Sequence, residues 1–165
     1  MPTIEASTDL PGDVATVLAV SLDLDVERAA GRRHRVRPVP AGPGSRTSGR
    51  IGAGERVRWS LRLHGLVPLR HTTEILEVDE ATPGGGARFV DAMVSGAFAA
   101  FRHEHLFDPL PPSPTGAPRT RSTDRMTWTS PLGPLGRVAD AVLVRRTLEG
   151  LLADRNAEIA RRLSA

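Results

Sequence analysis

Cysteine is absent from this chain of 165 residues. That absence excludes a disulfide scaffold, a thiolate metal centre and cysteine catalysis together. Lysine is absent too, so all 22 basic residues are Arg. Tyrosine is missing and aromatic residues make up only 4% of the chain, leaving few platforms on which bases would stack. No apolar run approaches the roughly 20 residues that cross a bilayer. The opening Met1–Leu10 lacks a charged-then-apolar leader, so a cytoplasmic location is expected. Charge of one sign is not dominant either: 22 basic against 19 acidic residues give +3. The sequence pI of about 11.0 still follows, because Arg does not titrate below about pH 12. A nucleic-acid binder would gather its cations on one face. Here Asp and Glu are interleaved with Arg, and the one dense run, Arg32-Arg33-His34-Arg35 with Arg37, reads as the outward side of a strand or a loop. Nucleic acid is therefore not an expected partner.

What is present describes one globular domain over residues 1–165, with 39% hydrophobic and 25% charged residues. Thr3 to Thr8 reads as a short strand broken by Pro11-Gly12, and Asp13 suits the N-cap of a helical stretch carrying Val14, Val17 and Leu18. Leu22, Leu24 and Val26 continue into a second short helical element. Segment 31–40 is expected as an edge strand, since Pro38 and Pro40 forbid a central one. Residues 41–49 are loop by composition.

From Glu55 the pattern becomes strict alternation. Val57, Trp59, Leu61 and Leu63 share one face, and Arg56, Arg58, Ser60 and Arg62 the other, which is the period of a half-buried antiparallel strand. Further strands are expected over 66–78, 88–94, 97–107 and 121–130, with a turn at 82–86 and a proline-rich loop over 108–118. After Pro134, the residues Val138, Val142, Leu148, Leu151, Leu152, Ile159 and Leu163 recur at helical spacing, with Arg145, Arg155, Glu158 and Arg161 in the intervals. That pattern predicts an amphipathic helix of about 28 residues, roughly 42 Å long. So long a helix needs a broad curved sheet to lie on. The expected class is α+β: a strongly curved antiparallel sheet of about six to seven strands, two short helical elements after the first strand, and a long C-terminal helix, with a ligand-sized gap between sheet and helix.

Several segments carry a resemblance. Gly49-Arg50-Ile51-Gly52 through Arg56-Val57-Arg58-Trp59, Arg88-Phe89-Val90-Asp91, Ser95-Gly96-Ala97-Phe98 and Phe101-Arg102-His103-Glu104-His105 follow one another in order, then Thr123-Asp124-Arg125-Met126, Pro131-Leu132-Gly133-Pro134-Leu135-Gly136 and Leu151-Leu152-Ala153-Asp154-Arg155-Asn156. Together they resemble a bacterial branch of the START/Bet v 1-like (SRPBCC, polyketide cyclase/dehydrase-like) superfamily, over about Gly49 to Arg155. The chain departs from it at Gly96-Ala97-Phe98, where Gly-Pro-Phe is usual, and in the longer loop before the last strand. The first 48 residues match poorly. The resemblance implies a helix-grip fold and a cavity for a hydrophobic small molecule; some members are polyketide aromatase/cyclases and others lipid carriers.

The candidate chemistry lies on the alternating strands. His103 and His105 share a face with Phe101 and Phe107, and imidazole titrates near neutrality. They are read as a general acid/base pair, against histidines merely hydrogen-bonded at the sheet surface. Asp91 alternates with Phe89 and Met93, and Asp124 with Met126 and Trp128, so both carboxylates fall on apolar faces where ionisation is costly unless paired. Either would orient a histidine, or else bridge to an Arg. A His-x-His pair also begins many metal sites, but no third ligand of suitable spacing is evident, so no metal or other cofactor is expected. Trp59, Leu61, Phe89, Met93, Phe101, Phe107, Met126 and Trp128 are the expected ligand-lining residues. His64 and His71 are expected at exposed strand ends.

No phosphate-cradling glycine loop and no nucleophile elbow is present. Three readings stand: a binder of a hydrophobic or aromatic small molecule, an aromatase/cyclase-type enzyme acting in the same cavity, and an interaction module presenting outward Arg faces to an acidic partner. No membrane span is expected, and the chain is expected as a monomer or homodimer.

Overall fold

The computed structural model describes residues 1–42, 45–63, 67–129 and 144–165. Among them one antiparallel sheet of seven strands dominates: β1 (Thr3–Pro11), β2 (Arg37–Val39), β3 (Arg56–Leu63), β4 (Val67–Asp79), β5 (Ala87–Ser95), β6 (Ala100–Leu110) and β7 (Arg119–Thr129). Their spatial order is β1-β7-β6-β5-β4-β3-β2. Strands β2 to β7 thus form a meander, and β1 joins beside the last strand rather than the second. Helices α1 (Val14–Ser21) and α2 (Leu24–Ala30), followed by a 3-10 turn (Gly31–His34), carry the chain from one sheet edge to the other. Helix α3 (Arg145–Leu163) packs against β1, α1 and α2. Register shifts in β4 at Thr72/Thr73 and Ile75/Glu77 mark irregular pairing, and bulges of this kind bend a strand and increase twist. The sheet curls accordingly around its helices.

Period-two alternation sorts the side chains. On β7, Thr120, Ser122, Asp124, Met126 and Trp128 are all buried, while Arg121 and Arg125 are exposed. The concave side joins Val57, Trp59, Ile75, Phe89 and Phe107 to Val17, Leu18, Leu22 and Val26 of the helical excursion and to Ile159 of α3. A second cluster, Ile4, Met126, Trp128, Leu148 and Leu152, seats the other part of α3 on β1 and β7. On the convex side, Arg pairs with acids across strands: Arg56 with Glu74 at 2.6 Å, Arg88 with Glu77 at 3.0 Å, Arg125 with Glu5 at 2.9 Å. Exposed pairs of this sort each add little to stability. They do pair part of the outward charge, which weakens the reading of these paired faces as docking surfaces for an acidic partner.

Several sequence expectations are corrected. Strand β1 runs through Pro11, which pairs with Arg119; β1 is an edge strand, where a missing N–H is tolerated. Strand β6 begins at Ala100 after a bend at 96–99 and continues through Pro109, so the proline-rich loop is confined to 111–118. At Gly96 a Cβ would stand 2.4 Å from His71 Cβ, so the bend depends on a bare backbone there. The described part of the terminal helix has 19 residues, and its expected start from Pro134 lies outside the described residues. The edge strand expected over 31–40 is only β2, preceded by the 3-10 turn. Asp13 caps α1 as expected, accepting from Thr16 N at 2.8 Å.

The last turn of α3 is tied down electrostatically. Glu158 accepts from Arg161 and Arg162, and Arg162 reaches Asp23, the N-cap of α2, at 3.1 Å. Hydrogen bonds from Arg161, then Arg162, overcome a smaller opposing effect of burial and lower the Glu158 carboxyl from 4.5 to about 2. A depressed carboxylate contributes stability that is complete above its unfolded value and is lost as pH falls through its folded value. Glu158→Gln is therefore expected to flatten the stability profile between about pH 4.5 and 2 relative to the wild type, measured by urea unfolding across that range.

Candidate functional site

The sheet register gathers the site. Asp91 on β5 lies opposite His103 on β6, and His105 on β6 lies opposite Asp124 on β7. All four share the concave face, so four candidates read from three separate stretches form one cluster. His103 Nε2 hydrogen-bonds Asp124 Oδ1 at 3.0 Å, and His105 Nε2 bonds Asp91 Oδ2 at 3.3 Å. His105 Nδ1 stands 2.8 Å from the same Asp124 oxygen but off the hydrogen-bond direction. His103 Nδ1 lies 3.8 Å from Asp91 Oδ2. The imidazole centroids are 3.6 Å apart, and Phe89 stacks on His105 at 3.8 Å. His103 is 6% exposed, His105 3% and Asp124 0%: water supplies almost none of the solvation these groups need.

Helix α3 completes the site with residues the sequence reading missed. The helical spacing puts Arg155 in the intervals of the apolar pattern, yet it is only 4% exposed. Its guanidinium pairs with Glu27 of α2, donates to the Ser21 carbonyl at 3.1 Å and sits 3.5 Å from Asp124 Oδ1. Asn156 donates to Asp124 Oδ2 at 3.2 Å and lies 3.3 Å from Thr8 Oγ1. A signal existed: Leu148, Leu152, Arg155 and Ile159 follow the i, i+4, i+7, i+11 spacing of one helix face. An Arg inside such a stripe is expected to be buried against a carboxylate.

The protonation states follow from these contacts. Burial alone would raise the Asp124 carboxyl, but the hydrogen bond from His103 and the close approach of His105, together with the Arg155 charge, hold it well below its ordinary value. Asp91 is lowered in the same way, against burial, by His105 and His103. Burial and then the neighbouring His105 lower His103, although Asp124 and Asp91 oppose them. Burial would lower Arg155 as well, and the Glu27 and Asp124 charges reverse that. The cluster therefore holds ionised carboxylates, a charged guanidinium and, at His103, a neutral imidazole.

The expected ligand-lining residues all lie on the concave face but divide in two. Trp59, Phe89, Phe107, Met126 and Trp128 are sealed into the core, whereas Leu61, Met93 and Phe101 are half-buried. His71, expected at an exposed strand end, is half-buried beside Trp59, and burial lowers it to about 4 despite the Asp91 charge. His64 lies outside the described residues. The expectation of no third metal ligand is also corrected in geometry, because Asp91 arrives beside both histidines from the adjacent strand: one donor atom from each of the three lies within 4.8 Å of the others. Sequence spacing has no access to a neighbour created by strand pairing.

Two concavities are described on the surface, and neither is the expected gap between sheet and helix. One, of about 800 Å³, is a surface groove lined by Arg28, Arg32, Arg35, Arg37, Arg62 and Arg70, with Leu61 and Leu69. The other, of about 270 Å³, lies between α2 and α3. Neither reaches the acid–imidazole cluster.

Solved structures place this architecture. Protein TTHA0849 from Thermus thermophilus superposes with a TM-score of 0.63 at 20% identity, covering 96% of this chain and 97% of its own. A START superfamily protein from Mycobacterium smegmatis gives 0.55 at 13%, covering 96% and 97%, and major latex-like protein 151 from Panax ginseng gives 0.58 at 14%, covering 94% and 95%. The chain has the START/Bet v 1-like helix-grip fold. At such identities the likeness carries the fold and leaves the chemistry to the residues. No protein-family model and no curated protein matches the sequence. Within this helix-grip fold, no helix among the described residues is long and apolar enough to cross a membrane.

Arg155 is the group whose removal strands the most charge. Arg155→Met is expected to cost about 3–5 kcal/mol, because Asp124 and Glu27 lose their cation while remaining at least partly buried. The same substitution in an Asp124→Asn background should cost clearly less, as a double-mutant cycle by urea unfolding will read.

Proposed function

We propose that this protein binds a hydrophobic or aromatic small molecule on the concave face of its sheet, beside the C-terminal helix. One observation carries the reading: a fully formed acid–imidazole cluster sits on a largely apolar face, next to Met93 and Phe101, which the fold leaves half-buried. A core needs no such cluster, and desolvating it is costly. An apolar site with a few convergent polar groups is the usual form of a small-molecule site. Affinity would come mostly from apolar burial, at roughly 25 cal/mol per Å². The polar cluster would orient whatever oxygen or nitrogen the guest carries. The family resemblance and the START superfamily and latex-like neighbours support the same reading.

A second reading, an aromatase/cyclase-type enzyme acting at the same place, is favoured by one contact. His103 is held on Asp124 at 3.0 Å, the arrangement by which a carboxylate fixes an imidazole's tautomer for proton transfer. His103 would take a proton next to a carbonyl of the substrate, and Arg155 would lie near the charge that develops.

Native mass spectrometry of the purified protein is expected to show a co-purifying organic molecule. Titration with an apolar fluorescent probe should show saturable uptake, weakened about tenfold by Phe101→Ala, since one truncated aromatic is worth about 1.4 kcal/mol or more of apolar contact. His103→Ala should leave probe affinity nearly unchanged under the binding reading and abolish turnover of an aldol-type substrate under the enzymatic one. Folded protein that takes up neither probe nor native ligand would overturn both.

A further inference from the structure

The arrangement of lone pairs at the cluster goes beyond apolar binding. Asp124 Oδ1 faces His103 Nε2 at 3.0 Å and His105 Nδ1 at 2.8 Å. An ionised carboxylate only accepts, so the His103 proton belongs on Nε2, while His105 has two carboxylate neighbours, Asp124 Oδ1 at 2.8 Å from Nδ1 but off the hydrogen-bond direction and Asp91 Oδ2 at 3.3 Å from Nε2. His103 Nδ1 then presents a lone pair, and His105 Nε2 presents one in the tautomer that carries its proton on Nδ1. Both face Asp91 Oδ2, at 3.8 and 3.3 Å, and that oxygen is another acceptor. In that tautomer three electron-rich atoms, one from each residue, gather within 4.8 Å of one another, and a cation among them would satisfy all three. A proton on His105 Nε2 would satisfy the 3.3 Å contact alone, because 3.8 Å is too long for a hydrogen bond to His103.

We propose that Asp91, His103 and His105 form a binding site for a divalent transition-metal ion of the zinc class, through Asp91 Oδ2, His103 Nδ1 and His105 Nε2. In a tetrahedral site with bonds of about 2.0–2.1 Å, adjacent donors stand about 3.3–3.4 Å apart; Asp91 Oδ2 already stands 3.3 Å from His105 Nε2, and the 3.8 Å to His103 Nδ1 would close by a few tenths of an ångström. Asp124 then fills the usual outer role. Metal-bound histidines donate their other N–H to a carboxylate, which fixes tautomer and ring orientation. Asp124 is in turn held by Asn156 at 3.2 Å and lies 3.5 Å from Arg155. Charge agrees: the cluster sets Asp91, Asp124 and the partly exposed Glu27 against Arg155 alone, an excess of two negative charges that a dication cancels. Imidazole and carboxylate donors suit zinc, cobalt or iron(II), and three protein donors leave a position open, as in catalytic rather than closed structural zinc sites. This inference does not depend on an apolar guest.

The test uses the full untagged chain, stripped with a chelator and titrated with Zn²⁺ by calorimetry and with Co²⁺ by visible absorption. One equivalent of uptake, a raised melting temperature and the intense absorption of low-coordinate Co²⁺ are expected. Asp91→Asn should abolish stoichiometric uptake, and Asp124→Asn should weaken it about 10–100-fold. Folded wild-type protein that takes up no metal, or uptake unchanged by Asp91→Asn, overturns the site. Should Asp91→Asn fail to fold, the Co²⁺ spectrum of the wild type decides: a weak, water-like octahedral spectrum overturns the assignment. Probe uptake by the stripped protein, measured alongside, separates failure of the metal site from failure of the apolar-guest reading.

Discussion

One buried carboxylate governs the interior of this protein. Asp124 has no exposed surface, so whatever water would have supplied must come from neighbouring groups. Two histidines from the adjacent strand, a guanidinium and an amide from the terminal helix meet that need. The same Arg155 passes the constraint to the excursion after β1, through Glu27 and the Ser21 carbonyl. Helix α3 is therefore located along the sheet by charge as well as by Leu152 and Ile159. Apolar packing tolerates a sliding helix better than a charged network does, because a half-satisfied network is worse than none.

The two faces of the sheet handle charge in opposite ways. On the convex side, Arg and acidic residues pair across strands in water, where each pair contributes little. On the concave side only a handful of charges occur, and all are drawn into one cluster. The groove beside β2 is different again. There Arg35, Arg37, Arg62 and Arg70 converge without an acidic partner among the described residues, so the exclusive use of Arg leaves one locally cationic surface on a chain of small net charge.

Function in this architecture is decided by what the concave face carries. The helix-grip frame supplies a curved wall and a helix to close it, and many chemistries are compatible with that. In this chain imidazole and carboxylate groups lie on that wall, with Met93 and Phe101 half-buried beside them. A binding reading, an acid–base reading and a metal reading all start from these atoms, and each makes a separable demand on Asp91, His103 and Phe101.

Alternation along the chain was enough to place Asp91, His103, His105 and Asp124 on inward faces, since a strand turns every second side chain to the same side whatever its partner. The α+β order, the N-cap at Asp13 and the edge position of Pro38 were legible for equally local reasons. Pairing was not. That Asp91 lies opposite His103, that Asp124 meets both imidazoles and that Arg155 reaches them from α3 depend on register and on helix docking. Those are set by burial summed over the whole sheet. Local sequence thus determined which side chains face inward, and only tertiary packing decided which of them touch, because contact between distant segments is a property of the assembled surfaces and not of any one stretch.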